Sequence, residues 1–202
     1  MLKTKHIFIT SILGFSLASA AVPLFAEADT QTADSAIALT VSPVIITYST
    51  STTVTLGTIV PDATGRESIS SDTISATTND GAGMFITMNA KAAANTNLVS
   101  GAATIVSTAG TTAAPIALAN NTWGFRVDTL AGFGSGPTST VTNIAPAATT
   151  FAAIPATASP YTIKTTATNG SANQTVYYGV RVNTTQISGN YSSTVTYTFT
   201  TN

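Results

Sequence analysis

The sequence predicts an all-β protein, an antiparallel β-sandwich with Greek-key-like connections in a single domain. Apolar residues alternate with Thr or Ser in short runs, no run keeps a helical period, and Gly, Pro and Asn separate the runs. Thr suits such strands because its β-branched side chain fits a pleated surface and its hydroxyl keeps an outer face soluble without charge. A closed β-barrel is the alternative architecture that the sequence leaves open.

Individual strands are predicted wherever an alternating run ends at turn residues. The earlier runs are 36–41, 44–49, 53–56, 68–77, 84–89, 122–127 and 161–166. In the two clearest runs one face is apolar: Val176, Tyr178, Val180 and Val182 in 175–182, and Tyr191, Val195, Tyr197 and Phe199 in 191–200. Turn residues 188–190 predict that these two runs form an antiparallel pair. The stretches 91–115 and 131–160 lack alternation and are predicted to be long loops.

The N-terminus has the pattern of a secretory signal peptide over residues 1–28. Lys3 and Lys5 precede an uncharged, mostly apolar stretch, and Ala26-Glu27-Ala28 places small residues at the cleavage positions. Cleavage after Ala20 or Ala26 would also fit. Residues 29–35 are then a flexible lead-in and residues 36–202 the β-sandwich domain. The sequence therefore predicts a secreted, extracellular protein located at the cell surface.

The mode of surface attachment is predicted from missing motifs. The sequence contains neither the Cys that follows a lipoprotein signal peptide nor a sortase motif, so we expect any attachment to be non-covalent. No second apolar run is long enough to span a bilayer, which predicts a mature chain without a transmembrane segment.

The composition restricts the chemistry of the mature protein. The chain has no Cys, its one His is His6 in the predicted signal peptide, and only 7% of its residues are charged. Zinc–thiolate sites, Ser-His-Asp triads and other imidazole catalysis therefore have no suitable side chains. A net charge of -1 gives no basic surface for nucleic acid. We expect no enzymatic activity, no catalytic residue, no metal and no cofactor.

The acidic residues lie singly along the sequence. A glycosidase needs two carboxylates brought together by the fold, and Glu67 could meet Asp72 or Asp128, so an extracellular glycan hydrolase remains a third possibility. Residues Asp62, Asp72 and Asp80 lack the spacing of a calcium-binding loop. Neither pattern is strong enough to assign a site.

The aromatic residues concentrate in the clearest strands: Trp123, Phe125, Tyr177, Tyr178, Tyr191, Tyr197 and Phe199. Alternation predicts that most of them are buried. Tyr177 has the opposite parity and is the candidate for an exposed aromatic on which a sugar ring could stack. Arg126 and Asp128 lie opposite Trp123 and Phe125, which predicts a surface ion pair.

The segment Trp123-Gly124-Phe125 in mid-chain, with Tyr191 and the run Tyr197-Thr198-Phe199 near the C-terminus, resembles the WxL surface domains of Gram-positive bacteria. Those domains carry one Trp-x-Leu motif in mid-domain and a second in the last strand. Here Phe125 stands in place of the first Leu, and Tyr197 and Phe199 replace the second Trp and Leu. The resemblance implies non-covalent association with peptidoglycan. It also implies that Trp123 and Tyr197 lie close together across the sheets as core anchors.

The leading functional hypothesis is a non-catalytic, adhesion-type surface protein that binds cell-wall polymer or a surface protein. The alternative is a self-assembling fibre or coat subunit. The last strand resembles that of chaperone–usher pilins, in which an extended N-terminal segment completes the sheet of a neighbour. Thr-rich strands of low charge could also pair edge to edge, so self-association is a second possible partnership.

Overall fold

The computed structural model describes residues 38–51, 53–127 and 133–202. The predicted signal peptide, the lead-in 29–35 and Asp128 lie outside these residues. The chain divides into two units, residues 1–39 and 40–202, and every described strand belongs to the second.

The described residues form an all-β fold of ten strands with one short 3-10 helix, Ala93–Thr96. Across this described part, no helix has the length and apolar character needed to cross a membrane. The strands are β1 Ile45–Ser49, β2 Arg66–Thr78, β3 Met84–Ala90, β4 Leu98–Ser100, β5 Ala103–Ser107, β6 Thr122–Val127, β7 Val141–Ile144, β8 Tyr161–Thr165, β9 Gly170–Val182 and β10 Val195–Thr201.

The strands form two sheets, as a β-sandwich requires. Sheet A has the order β1-β2-β9-β6-β5-β4, with β7 also paired to β2, and sheet B has the order β10-β3-β8. The prediction of a β-sandwich is confirmed, but sheet A is mixed because β5 and β6 are parallel. Residues 108–121 form the crossover that parallel neighbours need, since a tight turn can join only antiparallel strands.

The main core lies between the two sheets. β2 and β9 pair in unbroken register over 13 residues, so their side chains alternate strictly between the inner and outer faces of sheet A. Inner-face side chains of sheet A meet the apolar face of β3 and β8. The buried residues of this core include Ile74, Ala76, Met84, Ile86, Met88, Trp123, Phe125, Val127, Ile163, Val176, Tyr178 and Val180. Each large apolar side chain buried in this way contributes about 1.5–3 kcal/mol.

The prediction that 175–182 pairs with 191–200 is wrong. β9 lies in sheet A between β2 and β6, whereas β10 is an edge strand of sheet B. Residues 183–194 are long enough to cross the roughly 10 Å between packed sheets. The apolar faces of the two strands therefore meet across the core, with the Tyr178 and Tyr197 hydroxyl oxygens 2.5 Å apart.

The structure also differs from the sequence prediction in which short segments pair as strands. The predicted loops 91–115 and 131–160 contain β4, β5 and β7. Conversely, 53–56 and the described part of 36–41 carry no strand pairing. A short run becomes a strand only where a neighbouring backbone is free to pair with it.

The outer face of sheet A is also covered. Residues 150–152 pair beside β6, where Phe125 and Ala152 exchange two backbone hydrogen bonds of 2.9 and 2.8 Å. The adjacent Phe151 ring is fully buried over Gly179 of β9. A second apolar cluster results, formed by Ile69, Leu118, Phe151 and Tyr177. Much of the described part of 131–160, which was predicted to be a loop, therefore packs over the outer face of sheet A.

This cover corrects two predictions. Tyr177 is 7% exposed and donates a hydrogen bond to the Thr138 carbonyl oxygen, so it is not available for sugar stacking. Arg126 is fully buried rather than part of a surface pair. Its guanidinium lies 4.4 Å from the centre of the Tyr177 ring and donates to the Pro137 carbonyl oxygen. The alternation in the sequence correctly predicts that both side chains lie on the outer face of sheet A. They are buried because other parts of the chain pack over that face.

We expect Gly179→Ala to destabilise the protein, because an added Cβ would lie 2.4 Å from Cζ of the buried Phe151 ring. Overpacking of this kind costs about 1–3 kcal/mol. Gly81→Ala is the matched control, since a Cβ there meets no atom within 4 Å. Urea unfolding compares the two variants. If Gly179→Ala were as stable as the wild-type protein, that result would contradict the tight packing of Phe151 on β9.

A second prediction concerns Glu67 on the same outer face, whose Oε2 accepts hydrogen bonds from Ala147 N and Thr149 Oγ1, each 3.3 Å long. Burial raises the pKa of this carboxyl, against those hydrogen bonds and the charge of Arg181. The folded state therefore holds the proton more tightly than the unfolded chain. The contribution of Glu67 to the free energy of unfolding should therefore be fully present below the ordinary Glu pKa of about 4.3 and be lost as the pH rises through the folded pKa.

Glu67→Gln should remove that decrease, as measured by urea unfolding over a pH series. Asp62→Asn is the control, because the Thr64 hydroxyl lowers the pKa of Asp62 and its contribution is lost at falling pH instead. An unchanged pH profile in Glu67→Gln would contradict the proposed titration.

Candidate ligand-binding cavity

A cavity of about 530 Å³ lies between the two sheets beside β10. This volume is within the range of small-molecule sites, about 300–1,000 Å³. One wall comes from the inner face of sheet A and another from residues 191–195 and Tyr197. The remaining wall is the segment 50–57, called here the covering segment, of which Thr52 is outside the described residues. Three separate parts of the chain therefore converge on one site.

An aromatic wall joins the two sheets. Trp123 of β6 is 3% exposed and stacks with Tyr178 of β9, with ring centres 6.4 Å apart and planes inclined by 25°. The indole Nε1 donates to the Thr96 carbonyl oxygen at 2.9 Å, so its polar atom is satisfied within the protein. Tyr178 in turn contacts Tyr197 of β10 through their hydroxyls. Trp123 and Tyr197 therefore line the same cavity, with Tyr178 between them.

The Tyr178–Tyr197 hydroxyl pair is the polar centre of this wall. Burial raises the pKa of both hydroxyls well above the ordinary tyrosine range, so both are protonated at physiological pH. The Tyr178 oxygen also lies 3.3 Å from Sδ of Met88. Because a neutral hydroxyl can both donate and accept, the pair can exchange hydrogen bonds with an uncharged polar ligand.

Asp72 places a carboxylate in the cavity wall. It is 3% exposed, its Oδ1 accepts from Ser51 N at 2.8 Å and its Oδ2 accepts from Thr50 Oγ1 at 2.5 Å. These two bonds fasten the covering segment to sheet A. A carboxylate offers about four acceptor positions, so Asp72 retains capacity for ligand hydroxyls.

Asp72 and Glu67 cannot form the carboxylate pair of a glycosidase. They are five positions apart on β2, which is regular in its pairing with β9, and so they lie on opposite faces of sheet A. The other partner considered for Glu67, Asp128, is outside the described residues. Within the described ranges, no group of three or more His, Cys, Asp or Glu residues is arranged to hold a metal ion.

The covering segment closes the gap between β10 and sheet A without joining either sheet. Val54 and Leu56 are half-buried against the core, while Thr53 and Thr55 are exposed. The alternation expected of a strand is present in 53–56, but no strand pairing holds it. A ligand in the cavity is therefore bordered by backbone that is not committed to sheet hydrogen bonds.

The structure distributes the predicted motif residues over three places. Tyr191 lines the cavity, and its hydroxyl donates to the Ile187 carbonyl oxygen at 2.6 Å. Phe125 lies in the core, edge-on to Phe133 with ring centres 5.2 Å apart. Phe199 packs against Tyr48 at 5.1 Å, away from the cavity lining.

Sequence reasoning missed two cavity residues. Tyr178 was assigned only to the core, and Asp72 only to a carboxylate pair or a calcium site. The parity of Asp72, which it shares with Ile74 and Ala76, could have indicated an inward-facing acid on β2. Burial of a carboxylate among apolar residues is unusual and points to a specific role.

Trp123→Ala should cost about 3–5 kcal/mol of unfolding free energy, because the ring is buried and stacked in the core. Tyr197→Phe is the milder comparison and should cost about 0.5–1.5 kcal/mol, since it removes one hydroxyl hydrogen bond. Thermal unfolding of both variants checks the order. A midpoint unchanged by Trp123→Ala would contradict a role for this ring in the core.

The cavity thus combines flat apolar rings, neutral hydroxyls and one carboxylate, a combination suited to a ligand with both apolar and hydroxyl-bearing surfaces. No protein-family model, curated protein or solved structure matches the chain.

Proposed function

We propose that the protein is a secreted, non-catalytic glycan-binding module of the bacterial cell surface, and that the cavity holds part of a cell-wall polysaccharide. The observation that carries this proposal is the composition of the cavity wall, in which Trp123, Tyr178, Tyr191 and Tyr197 lie beside the carboxylate of Asp72. Secretion and surface location enter the proposal from the predicted signal peptide.

The aromatic side chains fit the apolar part of such a ligand. A sugar ring presents C–H groups on its faces and hydroxyls around its rim. Aromatic rings pack against apolar surface while the Tyr and Trp polar atoms keep hydrogen-bond partners. In this cavity the partly buried rings of Tyr191 and Tyr197 offer surface for such packing. Trp123 and Tyr178 are only 3% and 5% exposed and form the wall behind them.

The polar groups fit the rim of the same ligand. Asp72 supplies acceptor positions, and charge-assisted hydrogen bonds to a carboxylate are stronger than those between neutral groups. The exposed side chains of Ser192 and Thr194 add hydroxyls at the edge of the cavity. Both Asp72 oxygens already accept one hydrogen bond from the covering segment, so ligand hydroxyls would use their remaining acceptor positions.

The resemblance to WxL domains directs the choice of glycan. It implies peptidoglycan, with which those domains associate non-covalently. Peptidoglycan is therefore the polymer to test first, and a protein partner at the surface is the alternative.

Cosedimentation of the protein with isolated cell-wall sacculi tests this function. We expect the wild-type protein to pellet, and soluble glycan fragments to release it. Thr53→Trp should weaken binding tenfold or more, about 1.4 kcal/mol, because it places a large ring at an exposed position of the cavity lining.

Thr196→Trp is the matched control, at an exposed Thr of β10 outside the cavity lining. It should pellet like the wild type. Failure of the wild-type protein to pellet would overturn wall binding. Equal pelleting of Thr53→Trp would overturn the cavity as its site.

A further inference from the structure

We infer that this chain associates with a second copy of itself by strand addition, in which residues 36–41 of one copy pair with the free edge of β10 in the next. The segment 36–41, called here the arm, is described from residue 38 onward. This inference does not depend on glycan binding, because it rests on the arm and on the outer edge of sheet B.

The arm has the pattern of a strand but no partner in its own chain. Ile37, Leu39 and Val41 alternate with Ala38 and Thr40 in the sequence. In the described part, residues 38–41 take part in no strand pairing, and Leu39 and Val41 are 87% and 70% exposed. Large apolar side chains exposed at alternate positions are unfavourable in water, and burial against another strand would remove that cost.

The edge of β10 offers the complementary backbone. β10 pairs with β3 over all seven of its residues without a register shift, and it is the outermost strand of sheet B. It contains no charged residue and no Pro. A long, regular edge strand without such protection is a template for another strand, because its outward N–H and C=O groups lack sheet partners.

The other edges of the sandwich are protected. β8, at the opposite side of sheet B, carries Lys164, follows Pro160 and has a register shift against β3. β4 is only three residues long, and Val99 on it bridges to Ser192. β1 has a register shift against β2. Among the described edges, β10 alone combines length, regularity and lack of charge.

The chain enters β1 at the end of the sandwich where β10 finishes. Ile45 pairs with Thr78 at the end of β2, and Thr201 pairs with Met84 at the start of β3, so both lie beside the turn 79–83. Asn79 holds this entry point through hydrogen bonds with Ser42 and Val44. Residues 38–41 pair with no strand of their own copy, so the outer edge of β10 is left for the arm of a second copy.

The side chains of the two strands are compatible. β10 directs Tyr197 and Phe199 toward the core and exposes Thr196 and Thr198. An added arm in matching alternation would place its apolar residues inward, and Ala38 and Thr40 outward. The exposed ring of Tyr48, which already packs against Phe199, would gain apolar cover. Since each copy offers one arm and one edge, the contact is heterologous and produces open chains.

Light scattering after size-exclusion chromatography over a concentration series tests the inference, using the full-length chain expressed with its own leader. The wild-type mass should rise with concentration from monomer to dimer and longer chains. The double variant Leu39→Asp/Val41→Asp removes the apolar residues of the arm, and Thr198→Lys places a charge on the β10 edge. We expect each variant to raise the dissociation constant tenfold or more.

Thr165→Lys is the matched control, at an exposed Thr on the opposite edge strand β8, and should associate like the wild type. A mixture of the arm variant and the β10 variant should form dimers and no longer chains, because only one intact arm and one intact edge remain per pair. All substituted positions are exposed or half-exposed, and matching thermal midpoints verify that the variants fold. A wild-type protein that stays monomeric, or an arm variant that associates like the wild type, would overturn the inference.

Discussion

The unbroken 13-residue pairing of β2 with β9 is the constraint on which the other features depend. Because the pairing has no shift, it fixes the direction of every side chain along the centre of sheet A. Asp72 and Tyr178 point into the sandwich and meet in the cavity wall, whereas Glu67 and Tyr177 point outward into the second cluster. A shift of one residue would exchange these two sets and remove both the cavity and the outer cluster.

Both faces of sheet A are buried, which explains how a chain with 7% charged residues uses its charges. Glu67, Asp72 and Arg126 are all buried in or near this sheet, and each has hydrogen-bond partners in loops or in the covering segment. Buried charge is tolerated only with such partners, so these residues fasten the irregular segments to the sheet. Surface solubility then depends mainly on Thr and Ser hydroxyls, and an uncharged edge such as β10 is one consequence.

The sequence was informative about strands and faces and less so about partners. Alternation located β2, β3, β6 and β8 to within a few residues, since period-2 burial is a local property. It failed for the partner of β9, because residues 175–182 and 191–200 look alike whether they pair side by side or face each other across a core. Tyr177 is a second example. Its position in the alternating run predicts that it lies on the outer face of sheet A, but only the fold of residues 133–160 determines what covers that face. Three cavity-lining residues, Trp123, Tyr191 and Tyr197, belong to the motifs recognised in the sequence as structural. Asp72 and Tyr178 could be placed in the cavity wall only from the register of β2 and β9.

The cavity proposed to bind a cell-wall glycan has the single tryptophan of the chain, Trp123, in its wall. Its fluorescence therefore reports on this one site. Titration of the folded protein with soluble peptidoglycan fragments should produce a saturable change in Trp123 emission, because a bound ligand changes the polarity of the cavity whose wall contains this ring. An emission spectrum that stays unchanged at fragment concentrations that release the protein from sacculi would contradict this proposal.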